Sequence, residues 1–172
     1  MTIIDCNEEY ASQILDIFND AILNTTALYD YTPWTMETMR LWFETKKKHN
    51  FPVIGVIDET GCLMGFGSYG QFRMRPAYKY TIENSVYVHR DFRGRGLGKI
   101  LLQEIIKNAK AQNYHCIIGV IDASNEISIG LHQSFGFENV GTFKEVGYKF
   151  GKWLDAAFLQ LTLQTPEKPV ED

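Results

Sequence analysis

Arg93-Gly94-Arg95-Gly96-Leu97-Gly98-Lys99 stands between an extended stretch, Tyr78 to His89, and a strongly helical one, Leu97 to Gln112. Glycines let a backbone come close to a ligand, the free N–H groups of a helix's first turn point outward, and the helix dipole adds positive partial charge. This strand, loop and helix order predicts an anion site suited to phosphate, with Arg93 and Arg95 as charge-assisted donors. Spacing narrows the ligand. A Walker A loop needs two glycines five positions apart and then Lys-Ser/Thr, whereas Ile100 follows Lys99 and the first glycine stands only four before Gly98. That excludes a P-loop. A dinucleotide fingerprint would want a third glycine where Lys99 stands, in an early βαβ unit, and is disfavoured.

Outward from the loop, apolar periodicity places the other elements. Asn7 is a good N-cap for a helix in which Ile14, Leu15, Ile17, Phe18, Ala21 and Ile22 form one stripe. Thr35 opens a second helix with Met36, Met39, Trp42 and Phe43 on its apolar side, and Lys46-Lys47-Lys48 meets the negative end of its dipole. Val53 to Asp58 and Cys62 to Phe72 read as a hairpin around Gly61. In Tyr78 to His89, Ile82, Asn84, Val86 and Val88 face one way and Thr81, Glu83, Ser85 and Tyr87 the other. Cys116 to Ile121 is an apolar strand, Asn125 to Phe135 a helix ended by Gly136, and Asn139 to Glu145 and Trp153 to Leu163 are two further strands. Helices and strands mix without strict alternation and no long period repeats, so the class is a mixed α/β (α+β) domain over residues 1–164. The Pro-rich, charged tail, residues 165–172, is expected to be flexible.

Composition bounds the function. The 172 residues carry 17 Lys plus Arg against 21 Asp plus Glu, a net charge of −4, which argues against a general nucleic-acid or anionic-membrane binder. No apolar run approaches the roughly 20 residues of a membrane span, and Met1 to Asp5 resembles no signal peptide, so a cytoplasmic location is expected. Cys6, Cys62 and Cys116 are far apart and read as buried apolar fillers. His49, His89 and His115 lack partners at ligand spacing, so no metal is expected.

The pattern Arg93-x-x-Gly96-x-Gly98 resembles the acetyl-CoA pyrophosphate loop of the GNAT N-acetyltransferases. Asn125-x-x-Ser128-x-x-x-His132-x-x-x-Gly136-Phe137 follows it and is similar to that family's second coenzyme motif, in the family's order and separation. Tyr80 to Val88 and Gly147 to Trp153 further resemble the phosphinothricin acetyltransferase branch, which includes methionine sulfone and methionine sulfoximine acetyltransferases. The resemblance covers nearly the whole chain. It implies the GNAT fold, a mixed, mostly antiparallel sheet of about seven strands with about four helices. It also implies a splayed strand pair holding acetyl-CoA, and a homodimer, for which Phe143, Phe150, Trp153 and Phe158 supply apolar surface.

By that resemblance, backbone groups of Val86, Tyr87 and Val88 bind the pantetheine and acetyl end, with the Val88 N–H as oxyanion donor. Arg93, Gly94, Arg95, Gly96, Leu97, Gly98 and Lys99 hold the pyrophosphate. Asn125 and Ser128 contact the coenzyme's amide arm, and Asn125 is equally an ordinary N-cap.

Amine attack on a thioester needs a base to free the ammonium of its proton and an acid for the leaving thiolate. Glu83, a carboxylate in an apolar and hydroxylic strand, is the candidate base, directly or through a water; the bland alternative is a salt bridge to Arg73 or Arg75. His132 stands where many family members place a tyrosine acid. It reads either as that proton donor or as a packed, coenzyme-contacting side chain. Arg73, Arg75 and Tyr78 occupy the stretch where the subfamily recognises acidic substrate groups, which guanidinium forks match. Tyr29 and Tyr31 are candidates to close over the substrate.

The implied activity is acetyl transfer from acetyl-CoA to the α-amino group of a small acidic or oxidised amino acid, with antibiotic or herbicide resistance as an outcome. Acetylation of another amine, such as a peptide N-terminus or a polyamine, is one alternative. A non-catalytic acyl-CoA sensor is the other.

Overall fold

Asn7 and Thr35 both act as helix starts. In the computed structural model, which describes residues 1–171, Asn7 accepts from the Glu9 N–H to cap a 3-10 turn, Glu8–Tyr10, and α1 (Ala11–Asn24) continues from it. Thr35 accepts from the Thr38 N–H at the start of α2 (Met36–Lys48). Of the apolar side expected for α2, Met39 and Phe43 are buried but Met36 is exposed, because the stripe starts one turn later. Lys46 does more than meet the dipole. Its ammonium lies 5.0 Å from the Trp42 ring and 5.7 Å from that of Phe51, and burial pushes its pKa down to about 8.

The sequence reading did not identify β1 (Thr2–Asp5), which pairs antiparallel with β2 (Val53–Ile57). It is too short and too exposed for alternation to reveal it. β2 and β3 (Leu63–Gln71) form the predicted hairpin, and Asp58 Oδ1 closes the turn by accepting from the Thr60 and Cys62 N–H groups. β4 (Thr81–Val88) is shorter than expected at both ends. Pro76 at the start of the chain's next turn directs Pro76–Tyr78 into a 3-10 turn, and His89 caps another at Arg90–Phe92 by accepting the Asp91 N–H on Nδ1.

Next come α3 (Leu97–Ala111), β5 (Cys116–Asp122) and α4 (Glu126–Gln133), in the expected order. β6 (Glu138–Lys149) runs well beyond Glu145 alongside β7 (Lys152–Thr162). Two register breaks interrupt that pairing, which hides the strand's length from a period-two reading. Cys6, Cys62 and Cys116 are free and only half-buried, a correction to their reading as buried fillers.

The strands hydrogen-bond in the order β1-β2-β3-β4-β5-β7-β6. β4 with β5 is parallel, and the β1–β2, β2–β3, β5–β7 and β6–β7 pairs are antiparallel. This is the mixed, mostly antiparallel sheet with four helices that the resemblance implies.

The chain forms two compact units, residues 1–68 with 86–102 and residues 69–85 with 103 onward, and β3, β4 and α3 each run from one into the other. In the first unit, Ile14, Ile17 and Phe18 of α1 pack with Met39 and Phe43 of α2 and with Val53, Leu63 and Phe66 of the hairpin. Tyr87 joins them, its ring 5.0 Å from Phe18 and 5.4 Å from Phe66. Asn19 secures the α1–α2 loop by accepting the Trp34 N–H at 2.7 Å and donating to the Trp34 carbonyl at 3.0 Å.

In the second unit, Ile82, Ile105, Ala109, Ile117 and Leu159 are fully buried. After β7, His115 Nδ1 donates to the Thr165 carbonyl and the Val170 N–H donates to the Tyr80 hydroxyl at 3.0 Å. No helix among the described residues is long and apolar enough to cross a membrane.

Candidate active site

Parallel pairing of β4 with β5 covers Thr81–Glu83 against Cys116–Ile118 and ends there, although β4 continues to Val88. The next residues on the two strands are Asn84 and Gly119, and His132 of α4 lodges beside them. A Cβ on Gly119 would lie 3.1 Å from His132 Cδ2, 3.2 Å from its Nε2 and 3.4 Å from Asn84 Oδ1. A side chain here would be tight, and the ring would have to give by a few tenths of an ångström.

Glu83 is half-buried at the end of that pairing, and its carboxylate, among the described residues, makes no hydrogen bond or ion pair. Burial raises its pKa, and the positive charge of Arg73 works in the opposite direction. The salt bridge held open as the bland alternative is thus not formed. A carboxylate so placed is a stronger base than an exposed one, with a lone pair free to take a proton. Arg73 itself is exposed, its guanidinium 4.6 Å from the Phe72 ring centroid. Arg75 is exposed at the start of the Pro76–Tyr78 turn, and Tyr78 packs edge-on against Phe72 at 5.8 Å.

His132 is 4% exposed, and both ring nitrogens are engaged. Nδ1 lies 2.8 Å from the Ser128 carbonyl, which can only accept, so Nδ1 carries the proton. Nε2 lies 3.0 Å from Asn84 Nδ2 and accepts from it. Burial lowers the His132 pKa, although the Ser128 carbonyl favours the charged form. The Nδ1 proton is thus already donated to the Ser128 carbonyl. Of the two readings of this residue, these contacts describe the packed side chain, with desolvation and the Ser128 bond acting in opposite directions on its pKa.

In the first unit, Gly94 and Gly96 take positive φ values of +78° and +77°, where a side chain is strained, and nothing crowds either α-carbon. The Lys99 and Ile100 N–H groups close on the Gly96 carbonyl, so the Leu97 and Gly98 N–H groups are first-turn donors outside the α3 ladder. Lys99 and Arg95 are exposed, with Arg95 stacked 5.1 Å over Phe92. Arg93 is partly spoken for. Its Nε donates to the Val88 carbonyl at 3.3 Å and its Nη2 to Asp20 at 3.4 Å. The His89 N–H donates to the Met64 carbonyl on β3, so strand alternation turns the Val88 N–H away from β3. A Cβ on Gly65 would lie 2.8 Å from the Tyr87 carbonyl and 3.2 Å from the Val88 Cα, so β3 meets β4 closely there. Val86, Tyr87 and Val88 are half-buried. This backbone suits a pyrophosphate and its acyl arm.

Asn125 caps α4, accepting the Ser128 N–H at 3.1 Å, which is the ordinary half of its double reading. Ser128 is half of the His132 anchor through its carbonyl rather than its hydroxyl. Tyr29 and Tyr31 lie in the α1–α2 loop of the first unit, 39% and 70% exposed. On the β6–β7 hairpin, Phe143, Phe150 and Trp153 are exposed, and Phe143 packs on Phe158 at 4.6 Å. Among the described residues no three of His, Cys, Asp and Glu converge to hold a metal ion.

Three site residues escaped the sequence reading. Gly119 interrupts an apolar strand, which signals close approach to its backbone. Asn84 is a polar residue on the buried face of β4 and 8% exposed, a signal without a partner until His132 is placed. Asp20 left no signal at all in the α1 stripe, yet it also receives Arg90 at 3.3 Å.

The profile of the acetyltransferase (GNAT) family matches residues 17–137. A curated relative named L-methionine sulfoximine/L-methionine sulfone acetyltransferase, from Pseudomonas aeruginosa, is 44% identical over 150 residues, 87% of each chain. The N-acetyltransferase structure from Staphylococcus aureus Mu50 superposes with a TM-score of 0.92 at 47% identity, covering 94% of this chain and 97% of that one. That of the GNAT superfamily phosphinothricin acetyltransferase from Sinorhizobium meliloti, in complex with AcCoA, gives 0.95 at 35% identity, covering 99% and 93%.

Proposed function

Since the chain belongs to the GNAT acetyltransferase family, we propose that it moves an acetyl group from acetyl-CoA to the α-amino group of a small acidic or oxidised amino acid. Methionine sulfone, methionine sulfoximine and phosphinothricin are the substrate types, as the names of its relatives suggest. Glu83 is the observation that carries the reading: a half-buried carboxylate with a raised pKa and no partner, under the influence of an arginine that suits an acidic substrate.

When bound, acetyl-CoA supplies an acetyl thioester. The Gly94 to Lys99 backbone and the α3 N-terminus hold its pyrophosphate, with Arg95 and Lys99 adding charge. Val86 and Tyr87 offer backbone groups to the acyl arm, and the Val88 N–H points at developing negative charge on the carbonyl oxygen. Arg73, Arg75 and Tyr78 receive the acidic end of the substrate, Tyr29 and Tyr31 cover it, and Asn125 and Ser128 border the coenzyme arm. Glu83 takes the ammonium proton, directly or through a water, leaving the neutral amine to attack. As the C–N bond forms and the C–S bond breaks, the proton that the attacking nitrogen must still lose can pass to the departing thiolate, so turnover needs no separate acid from His132. His132 contributes beside β4 rather than as the proton donor.

The exposed aromatic strip of the β6–β7 hairpin supports a homodimer. Cytoplasmic action on a small molecule, and protection against toxic amino-acid analogues, complete the reading.

The test is release of free thiol from acetyl-CoA with methionine sulfone, phosphinothricin, spermidine or a short peptide as separate acceptors. Saturable release with either amino-acid analogue is the expected result. Preference for spermidine or the peptide would redirect the substrate assignment, and acetyl-CoA binding without release would favour a sensor.

A further inference from the structure

The side chain of Asn84 is buried and has one half in use and one half idle. Its Nδ2 donates to His132 Nε2 at 3.0 Å, while Oδ1 is buried with no hydrogen-bond partner. An idle buried acceptor is costly, and an apolar residue would avoid the cost. Against a neutral ring the amide cannot be turned around to relieve it. Nδ1 of the ring must donate to the Ser128 carbonyl, so a neutral ring offers only a lone pair at Nε2, and Oδ1 placed there would face that lone pair. The amide thus sits in the one orientation that makes Nε2 an acceptor. Gly119 leaves the room for this contact. Asn84 from β4, Gly119 from β5, the Ser128 carbonyl from α4 and the Phe137 ring 5.0 Å away meet the imidazole, none of these four is titratable, and no charged group contributes to the shift of the ring's pKa.

We propose that Asn84 is a positioning residue that locks His132 in the Nδ1–H tautomer, so that the imidazole anchors β4 next to Glu83 as a hydrogen-bond acceptor and delivers no proton. The inference rests on the acetyltransferase reading for its consequence but not for its geometry. Burial, which lowers the pKa of His132, works in the same direction as the lock. An aspartate at position 84 would reverse it: a carboxylate accepts, so Nε2 would be protonated and the ring would hold its charge to higher pH.

The experiment is long-range ¹H–¹⁵N correlation on the histidine-labelled full chain across pH, with His132 among the four histidines identified by its loss in His132→Gln. The wild-type ring should show a protonated Nδ1 and a bare Nε2 near neutral pH. Asn84→Asp should protonate Nε2 and raise the titration midpoint by about 1 to 2 pH units. It should also lower kcat with methionine sulfone by about 10-fold or more while the Kd for acetyl-CoA changes little. A wild-type ring protonated on Nε2, or an aspartate variant with an unmoved midpoint, would overturn the lock. A moved midpoint with unchanged kcat would overturn its role in the reaction. If the aspartate variant does not fold, the wild-type spectrum alone decides the tautomer. A wild-type protein that binds acetyl-CoA but acetylates no amine would instead sink the proposed function and leave the tautomer result standing.

Discussion

Two regions of this protein depend on glycine for opposite reasons. At Gly94 and Gly96 the backbone turns to positive φ in open space, so the residue type is required by conformation and the neighbours are irrelevant. At Gly119 the space is taken up by His132, so the residue type is favoured by packing. The first region leaves backbone donors open, as the proposed pyrophosphate site needs. The second is sealed and organises the strand that carries Glu83. Binding and chemistry therefore rest on different physical terms, and substitutions should separate them.

The widest separation should come from Glu83→Gln. Removing the base should lower kcat by about 10²- to 10⁴-fold and leave acetyl-CoA affinity nearly unchanged, measured by turnover and by calorimetry on the same preparation. Retained turnover would take Glu83 out of the mechanism and dissolve the contrast.

Gly119→Ala should act on stability. Forcing a methyl group against His132 and Asn84 costs about 1 to 3 kcal/mol, read as a fall of several degrees in the melting temperature. An unchanged melt would mean that the ring yields freely, and the sealed character of this region would be lost.

Gly96→Ala should weaken acetyl-CoA binding through the strain of a positive φ, about 1 to 2 kcal/mol, with kcat at saturation retained. Arg95→Ala should weaken it less, and less still at high salt, because that guanidinium is exposed and screened. Equal effects from the two would show that charge rather than backbone shape holds the anion.

The smallest effect is the pH dependence of stability. His132 has a folded pKa below its ordinary 6.5, so the unfolded chain binds the proton more readily. Stability should fall as pH drops below about 6.5, with a slope of at most about 1.4 kcal/mol per pH unit, and level off below the folded value. Denaturant titrations should show this slope flattened in His132→Gln. A slope that persists there belongs to other groups.

Local signals made much of this legible. The caps at Asn7 and Thr35, the hairpin turn through Gly61, and the α3 and β5 segments follow from propensity and period, which act over a few residues. β1 was missed because four mostly exposed residues carry no period, and β6 was drawn short because its bulges break the alternation. The site divides in the same way. Glu83 stood out as a charge in an apolar strand, whereas the absence of a salt bridge to Arg73 or Arg75 depends on where the arginine stretch turns at Pro76.

By itself the sequence determined the glycine loop ahead of α3 and the placing of a lone carboxylate in β4, because a glycine's allowed conformations and a carboxylate's chemistry belong to the residue and its immediate neighbours. Only the tertiary structure decided what surrounds His132. Its proton, its acceptor role toward Asn84 and its dependence on Gly119 arise from desolvation and from partners on β4 and β5 that the chain brings together only by folding.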